Sequence, residues 1–204
     1  MRRRNLNISI DQAAKKVELA YKFTVGDYLR AVDACDRVVI ADAIHRRFLE
    51  RYLFPASQSD APGRGFTMMA IACLMVEALE SFRRGWPDTG KRGQGEHAFC
   101  SFFDAHDAFA LFRGHAHDFY KGVRCGILHQ AETTLAWRIR RNGPLLAHAG
   151  GVRTVNAKKF VRELRTALDG YRDRLKAQPW EDEVWTDLLW KMKHVCQNCA
   201  AKSS

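Results

Sequence analysis

An arginine and a histidine, Arg124 and His129, stand with four residues between them in the stretch FYKGVRCGILHQAETTLAWR, residues 119–138. The imidazole of a histidine, whose ordinary pKa is about 6.5, can accept and return protons near neutral pH. A guanidinium can bind a phosphate group and stabilise the negative charge that grows on it during a reaction. The two residue types together could therefore break a phosphodiester bond.

The spacing of this pair is weak evidence by itself. With 22 arginines and eight histidines in the chain, about one arginine is expected five places before a histidine by chance. Arg92 and His97 repeat the spacing, but Arg92 lies in the glycine-rich segment 86–95, which is expected to be a loop. Arg124 and His129 differ because the stretch around them has the apolar periodicity of a helix, which can hold a catalytic pair rigidly.

The helix expected around this pair has two unlike sides. At about 100° per residue, its apolar side carries Phe119, Tyr120, Val123, Ile127 and Thr134. The opposite side carries Lys121, Cys125, Leu128 and Glu132. Arg124 and His129 border this second side, roughly 140° apart on an ideal helix. Because Leu128 is apolar on a polar side, we expect it at a contact between two copies, where a two-fold axis would bring two Arg-His pairs into one cleft.

The composition indicates a folded domain with polyanionic partners. The chain has 204 residues, of which 47% are hydrophobic, and carries a formal net charge of +10 with a pI near 9.6. Such a charge favours binding to nucleic acid or to an anionic membrane. The basic residues are scattered, apart from MRRR at the N-terminus and a group at 138–141. The longest apolar run, 66–76, is shorter than the roughly 20 residues that cross a bilayer, so no membrane association is expected.

The six cysteines predict a reducing, cytoplasmic environment, since the N-terminal sequence MRRRNLNISIDQAAKK lacks the apolar region of a secretion signal. Cys196 and Cys199 form a Cys-x2-Cys pair beside His194, which could supply two or three zinc ligands. Structural zinc sites usually have four ligands, and the sequence has no second pair of this kind. Free thiols at a frayed C-terminus are therefore preferred, no metal or cofactor is expected, and a zinc-supported scaffold stays an alternative.

Apolar periodicity and cap residues predict a chain made almost entirely of helices. The predicted helices cover 11–23, a long stretch from the cap at 24–27 to Pro55, 66–82, two short pieces within 98–112, a central helix that begins at 115 and ends before Trp137, 156–176 and 179–195. Residues 57–65 are expected to be a loop, and residues 137–141 and 145–148 a small β-hairpin around Asn142-Gly143-Pro144. The phenylalanines of 98–112 are expected in the core rather than on a base-stacking surface, which needs exposed rings beside cations.

Two glutamates, Glu77 and Glu80, are the only charged residues in the apolar helix 66–82. A buried glutamate must find a partner, so each could orient a catalytic group, although positions at the rim of the core are preferred.

The sequence RCGILH at 124–129, on a late helix of a small basic all-helical protein, resembles the Arg-x4-6-His signature of the HEPN superfamily. The resemblance covers about residues 10–137. It implies an all-α, HEPN-like helical bundle that dimerises, so that paired motifs form a metal-independent endoribonuclease site. The bundle would comprise 1–137, and 138–204 would add the hairpin and the C-terminal helices, packed on the same domain. The resemblance also implies a role in toxin-antitoxin or antiviral systems, with an antitoxin or a regulatory protein as a further partner.

The residues of such an enzyme would have distinct roles. One His129 of a dimer would act as the base on the ribose 2′-hydroxyl and its mate as the acid on the leaving 5′-oxygen. Arg124 would hold the phosphate, and Lys121 and Arg138 would follow the RNA backbone as sequence-independent contacts. Cys125 and Glu132 would support the pair.

A non-catalytic interpretation stands beside this one. His129 would then face solvent or cap the helix, and Arg124 would form a salt bridge with Glu132 or another acid. The protein would be a helical module that binds RNA, a nucleotide or a partner protein through the same basic surface. Binding would be sensitive to salt, but RNA would remain intact.

Overall fold

The structure of the protein is a computed structural model that describes residues 10–58 and 63–201. It is 68% helix and 10% strand, which confirms a mainly α fold and adds two small sheets to it. The N-terminal MRRR and residues 59–62 of the loop expected at 57–65 lie outside the described residues.

The secondary-structure elements follow one another in this order along the described residues. The α-helices are α1 (Gln12–Lys15), α2 (Val25–Asp33), α3 (Arg37–Phe48), α4 (Phe54–Ser57), α5 (Gly65–Arg83), α6 (Gln94–Ala105), α7 (Ala116–Phe119), α8 (Gly126–Gln130), α9 (Ala157–Ala177) and α10 (Glu183–Ala200). Wide π-helical turns cover Leu49–Leu53 and Tyr120–Cys125, and a 3-10 helix covers Asp107–His115. The strands are β1 (Glu18–Ala20), β2 (Phe23–Thr24), β3 (Trp137–Arg140), β4 (Leu146–Ala149) and β5 (Val152–Asn156).

The chain divides into two compact units, and the candidate pair lies in the second. Among the described residues, the first unit contains 10–50, 81–88 and 168–201, and the second contains 51–58, 63–80 and 89–167. The boundary expected at residue 137 falls inside the second unit. The helix α5 is long and apolar enough to cross a membrane, but most of it is buried inside the protein, as in a core helix of a water-soluble protein.

Two of the helices predicted in the first 55 residues are wrong in extent. The helix expected over 11–23 ends at Lys15, because β1 and β2 then form an antiparallel pair whose turn contains Lys22 in a left-handed conformation, φ 55°. The cap predicted at 24–27 is confirmed, since Thr24 and Asp27 form a reciprocal capping box at the start of α2. The long helix that should follow is interrupted at Ala34–Asp36, and Pro55 lies within α4 instead of ending the pattern.

The core of the second unit is built from phenylalanines, as predicted. Seven of these rings are fully buried and contact one another in edge-to-face, tilted and stacked pairs with centroids 4.9–6.3 Å apart: Phe99, Phe102, Phe103, Phe109, Phe112, Phe119 and Phe160. Aromatic pairs in these geometries add to the free energy that burial already provides. Phe119 belongs to this cluster, so the core fixes the start of the helical segment that carries Arg124.

The predicted hairpin has the wrong strand order. Strand β5 lies between the other two, parallel to β3 and antiparallel to β4. The tight turn is at Gly150-Gly151, both with positive φ, and it joins β4 to β5. Asn156, the last residue of β5, binds the segment 142–145 through two hydrogen bonds. Its backbone N–H donates to the Leu145 carbonyl at 2.9 Å, and its side-chain amide donates to the Gly143 carbonyl at 2.8 Å.

Candidate functional site

One helical segment, 116–130, carries both Arg124 and His129, and it consists of α7, a π turn and α8. The prediction of a helix here is confirmed from 116, but the helix ends at Gln130 and does not continue to the residues just before Trp137. Ala131, left-handed at φ 53°, terminates it, and Thr134 therefore lies outside the predicted apolar face. The π turn places i→i+5 bonds where an α-helix has i→i+4 bonds, so the 140° separation of an ideal helix does not apply to this pair.

Two glycines allow the chain to fold back tightly against this segment. The Thr134 N–H donates to the Gly122 carbonyl at 2.8 Å, immediately after the helix has ended. A Cβ on Gly122 would lie 2.5 Å from Cδ1 of Trp137, and a Cβ on Gly126 would lie 2.5 Å from the carbonyl oxygen of Glu132. Since real Cβ atoms do not approach other atoms so closely, both positions require glycine in this fold.

Arg124 is held by a buried glutamate of α5. Its Nε donates to Oε1 of Glu77 at 2.6 Å and its Nη2 to Oε2 at 3.4 Å, with side-chain exposures of 19% for Arg124 and 9% for Glu77. The Thr89 hydroxyl also donates to Oε2 of Glu77, at 3.2 Å. The rim position preferred for Glu77 is therefore wrong, and the alternative that it orients a functional group fits the geometry.

The ring of Tyr120 lies beside the Arg124 guanidinium, with 5.4 Å between its centroid and Cζ. Burial tends to lower the pKa of Arg124, but the hydrogen bond and negative charge of Glu77 outweigh it, so that the pKa is raised. Burial raises the pKa of the Tyr120 hydroxyl. Arg124 is thus a permanent cation with a fixed orientation.

His129 has a different environment from Arg124. It is exposed in the last turn of α8 and makes no hydrogen bond or ion pair with the residues that the structure describes. Its neighbour Leu128 is 44% exposed, as predicted for a residue on the outer side of this helix. The imidazole is therefore open to a ligand from solvent.

The four other predicted residues are spread over the π turn, the chain after α8 and strand β3. Lys121 is exposed in the π turn, and Arg138 is exposed on β3. Cys125 is half-buried beside Tyr120. Glu132 lies beyond the helix, and its carboxylate accepts from the Thr133 backbone N–H at 2.7 Å instead of from Arg124.

Sequence reasoning missed Tyr120 and Thr89 as members of the site. Tyr120 could have been found, because a residue four places before Arg124 shares its side of a helix. Thr89 carries no such local signal, since it reaches Glu77 from the loop that follows α5. Glu77 was identified from the sequence as an unusual charge in an apolar helix, but its partner was not.

Zinc ligands do not come together around Cys196 and Cys199. Cys196 is buried in α10, where burial and the nearby Cys199 raise the pKa of its thiol to about 12. The C-terminus is therefore not frayed at this position. Over residues 10–58 and 63–201, no group of three or more His, Cys, Asp or Glu side chains is arranged to hold a metal ion.

Comparisons with models of protein families, with curated proteins and with solved structures found no match to this chain.

Proposed function

We propose that the protein is an endoribonuclease of the HEPN type that cleaves RNA by transesterification. The 2′-hydroxyl oxygen attacks the adjacent phosphorus, the bond to the 5′-oxygen breaks, and a 2′,3′-cyclic phosphate and a 5′-hydroxyl remain. His129 accepts the proton of the 2′-hydroxyl or, from the second copy, donates one to the leaving 5′-oxygen. Arg124 binds the phosphate and stabilises its charge.

The observation that carries this proposal is the fixed orientation of Arg124 on the helical segment that also carries the exposed imidazole of His129. Glu77 occupies Nε and Nη2 of the guanidinium. Nη1 has no partner among the described residues and remains for a phosphate oxygen. A charged group held in advance loses little entropy when it binds the reacting phosphate, which is what electrostatic catalysis requires.

The proposed active form is a homodimer with Leu128 at its two-fold contact. The 44% exposure of Leu128 supports this, because an apolar side chain between polar neighbours is stabilised when a second copy covers it. Lys121 and Arg138 then contact RNA phosphates on either side of the paired motifs. A cytoplasmic toxin or antiviral role, with an antitoxin or regulatory protein as partner, belongs to the same proposal.

The test is cleavage of a mixed RNA pool in EDTA by the wild type, His129→Ala and His97→Ala. His97 is a matched control, since it is also an exposed histidine five places after an arginine. We expect the wild type and His97→Ala to produce 2′,3′-cyclic phosphate ends and His129→Ala to produce none. Equal cleavage by all three proteins, or a need for divalent metal, would contradict the mechanism.

A second candidate function is RNA binding without catalysis. It is favoured by the same ion pair, because Glu77 offsets part of the charge with which Arg124 would stabilise a reacting phosphate. The exposed cations Lys121 and Arg138 would still bind the RNA backbone. This candidate predicts that RNA binds in a salt-sensitive manner, keeps intact ends and still binds to His129→Ala.

A further inference from the structure

A cleft of about 400 Å³ opens in the second unit, and none of the residues that line it is assigned to cleavage. Its apolar lining comes from Leu53 and Phe54, from Met68 of α5 and from Val161 of α9. This volume is within the range of roughly 300–1,000 Å³ that is typical of ligand pockets.

Phe54 is unusual among the phenylalanines of this protein. All twelve phenylalanines lie within the described residues. Phe54 is 46% exposed, and the other eleven are buried or half-buried. An aromatic ring open to solvent at the wall of a cleft can stack on a planar ligand, such as a nucleobase.

The same cleft is bordered by cations from one side of α9. Lys158, Arg162 and Arg165 line it and follow one another at i, i+4 and i+7, so they form a row of about 10 Å along the helix. Glu163 pairs with Arg162 at 2.8 Å. A row of cations suits a chain of phosphates better than a single anionic group.

We propose that this cleft binds single-stranded nucleic acid, with a base stacked on Phe54 and the sugar-phosphate chain along Lys158, Arg162 and Arg165. An exposed ring beside cations is the combination that stacking surfaces need. The cleft would be a second contact for the RNA of the proposed ribonuclease, and the choice of RNA as the polymer rests on that proposed function.

The test is fluorescence anisotropy with a labelled single-stranded 2′-O-methyl RNA, which has no free 2′-hydroxyl and cannot be cleaved. We expect Phe54→Leu, which keeps an apolar side chain but removes the ring, to weaken binding about 5- to 100-fold. Arg162→Ala and Arg165→Ala should each reduce the slope of log affinity against log salt by about 0.7. Arg174→Ala is the matched control, because Arg174 is exposed on α9 but does not line the cleft.

Unchanged affinity in a folded Phe54→Leu protein would overturn the proposal, as would equal losses in Arg165→Ala and Arg174→Ala. Vesicles of phosphatidylcholine and phosphatidylserine form a second probe. If Phe54→Leu lost vesicle binding and kept RNA binding, the cleft would belong to a membrane surface. Because the RNA probe cannot be cleaved, a negative result for His129 in the cleavage assay leaves this measurement unaffected.

Discussion

At the scale of single residues, the contact between Glu77 and Arg124 is the most consequential one. Two charges removed from water lose hydration, and their attraction compensates only while both partners are present. Glu77 also accepts from Thr89, which leaves its carboxylate well satisfied. The pair therefore orients Arg124 but makes the fold depend on Glu77.

Glu77→Gln is expected to lower the free energy of unfolding by about 2 kcal/mol, because it leaves the Arg124 charge partly buried without a counter-charge. The measurement is urea unfolding followed by circular dichroism. Asp173→Asn removes the exposed partner of Arg172 and should change the same free energy by less than about 0.5 kcal/mol. If both variants lost a similar amount of unfolding free energy, the burial of the Glu77–Arg124 pair would not increase its effect on stability.

Lys191 of the first unit makes stability depend on pH. Its ammonium donates to the Pro87 carbonyl at 2.9 Å and lies 5.4 Å from the Phe82 ring, and burial lowers the pKa of Lys191 to about 8. In the unfolded chain its pKa is about 10.4, so between these values the unfolded state binds more protons. The contribution of Lys191 to the free energy of unfolding therefore rises with pH between about 8 and 10.4, and it is lowest below pH 8.

The variant Lys191→Met should lose this dependence. Relative to the variant, the wild type should gain up to about 3 kcal/mol of unfolding free energy between pH 7.5 and 10.5. Taking the difference cancels the titration of thiols and other groups that both proteins share. If the unfolding free energies of the two proteins changed in parallel over this pH interval, Lys191 would not be the source of the pH dependence.

At the scale of elements, the end of the helical segment 116–130 depends on glycine. Gly122 and Gly126 form the surface on which residues 132–137 fold back. The turn places Trp137 in the core at the start of β3. The sheet and the helix that carries the candidate pair are thus joined through two positions without side chains.

Gly126→Ala is expected to lower the free energy of unfolding by about 2–3 kcal/mol, because the new Cβ meets backbone that cannot move freely. Gly170→Ala is the matched control, since Gly170 lies in α9 and a Cβ there would meet nothing within 4 Å. The control should stabilise the protein by about 0.5–1 kcal/mol. The measurement is thermal unfolding of both variants. If Gly126→Ala stabilised the protein, residues 132–137 would not pack against Gly126.

At the scale of the whole molecule, the net charge of +10 and the proposed two-fold contact have opposing effects. Like charges on two copies repel, and the apolar area around Leu128 must overcome that repulsion. Dimerisation is therefore expected to increase with salt, while RNA binding decreases with it.

Leu128→Lys is expected to yield a monomer by sedimentation and to lose RNA cleavage in parallel, since it places two cations at the contact. Leu111→Lys is the control, because Leu111 is also an exposed leucine, 61% accessible, outside the proposed contact. A monomeric Leu128→Lys protein with wild-type cleavage would show that one copy holds a complete site.

Local signals in the sequence predicted much of this protein correctly. The buried helix α5, the phenylalanine core, the cap at Thr24 and the Asn156 cap of α9 were all predicted from periodicity and residue type. These features depend on residues that are neighbours along the chain or on one helix face, so the sequence contains the whole pattern.

Only the tertiary structure decided which distant residues meet. Glu77 and Arg124 are 47 residues apart, and β5 takes the place beside β3 that the sequence assigned to β4. The end of the helix at Gln130 likewise depends on contacts of Gly122 and Gly126 with residues 132–137. Such pairings result from packing between segments, which has no period in the sequence. The sequence determined the residue types of the candidate site, and the fold decided that Arg124 is anchored while His129 is exposed.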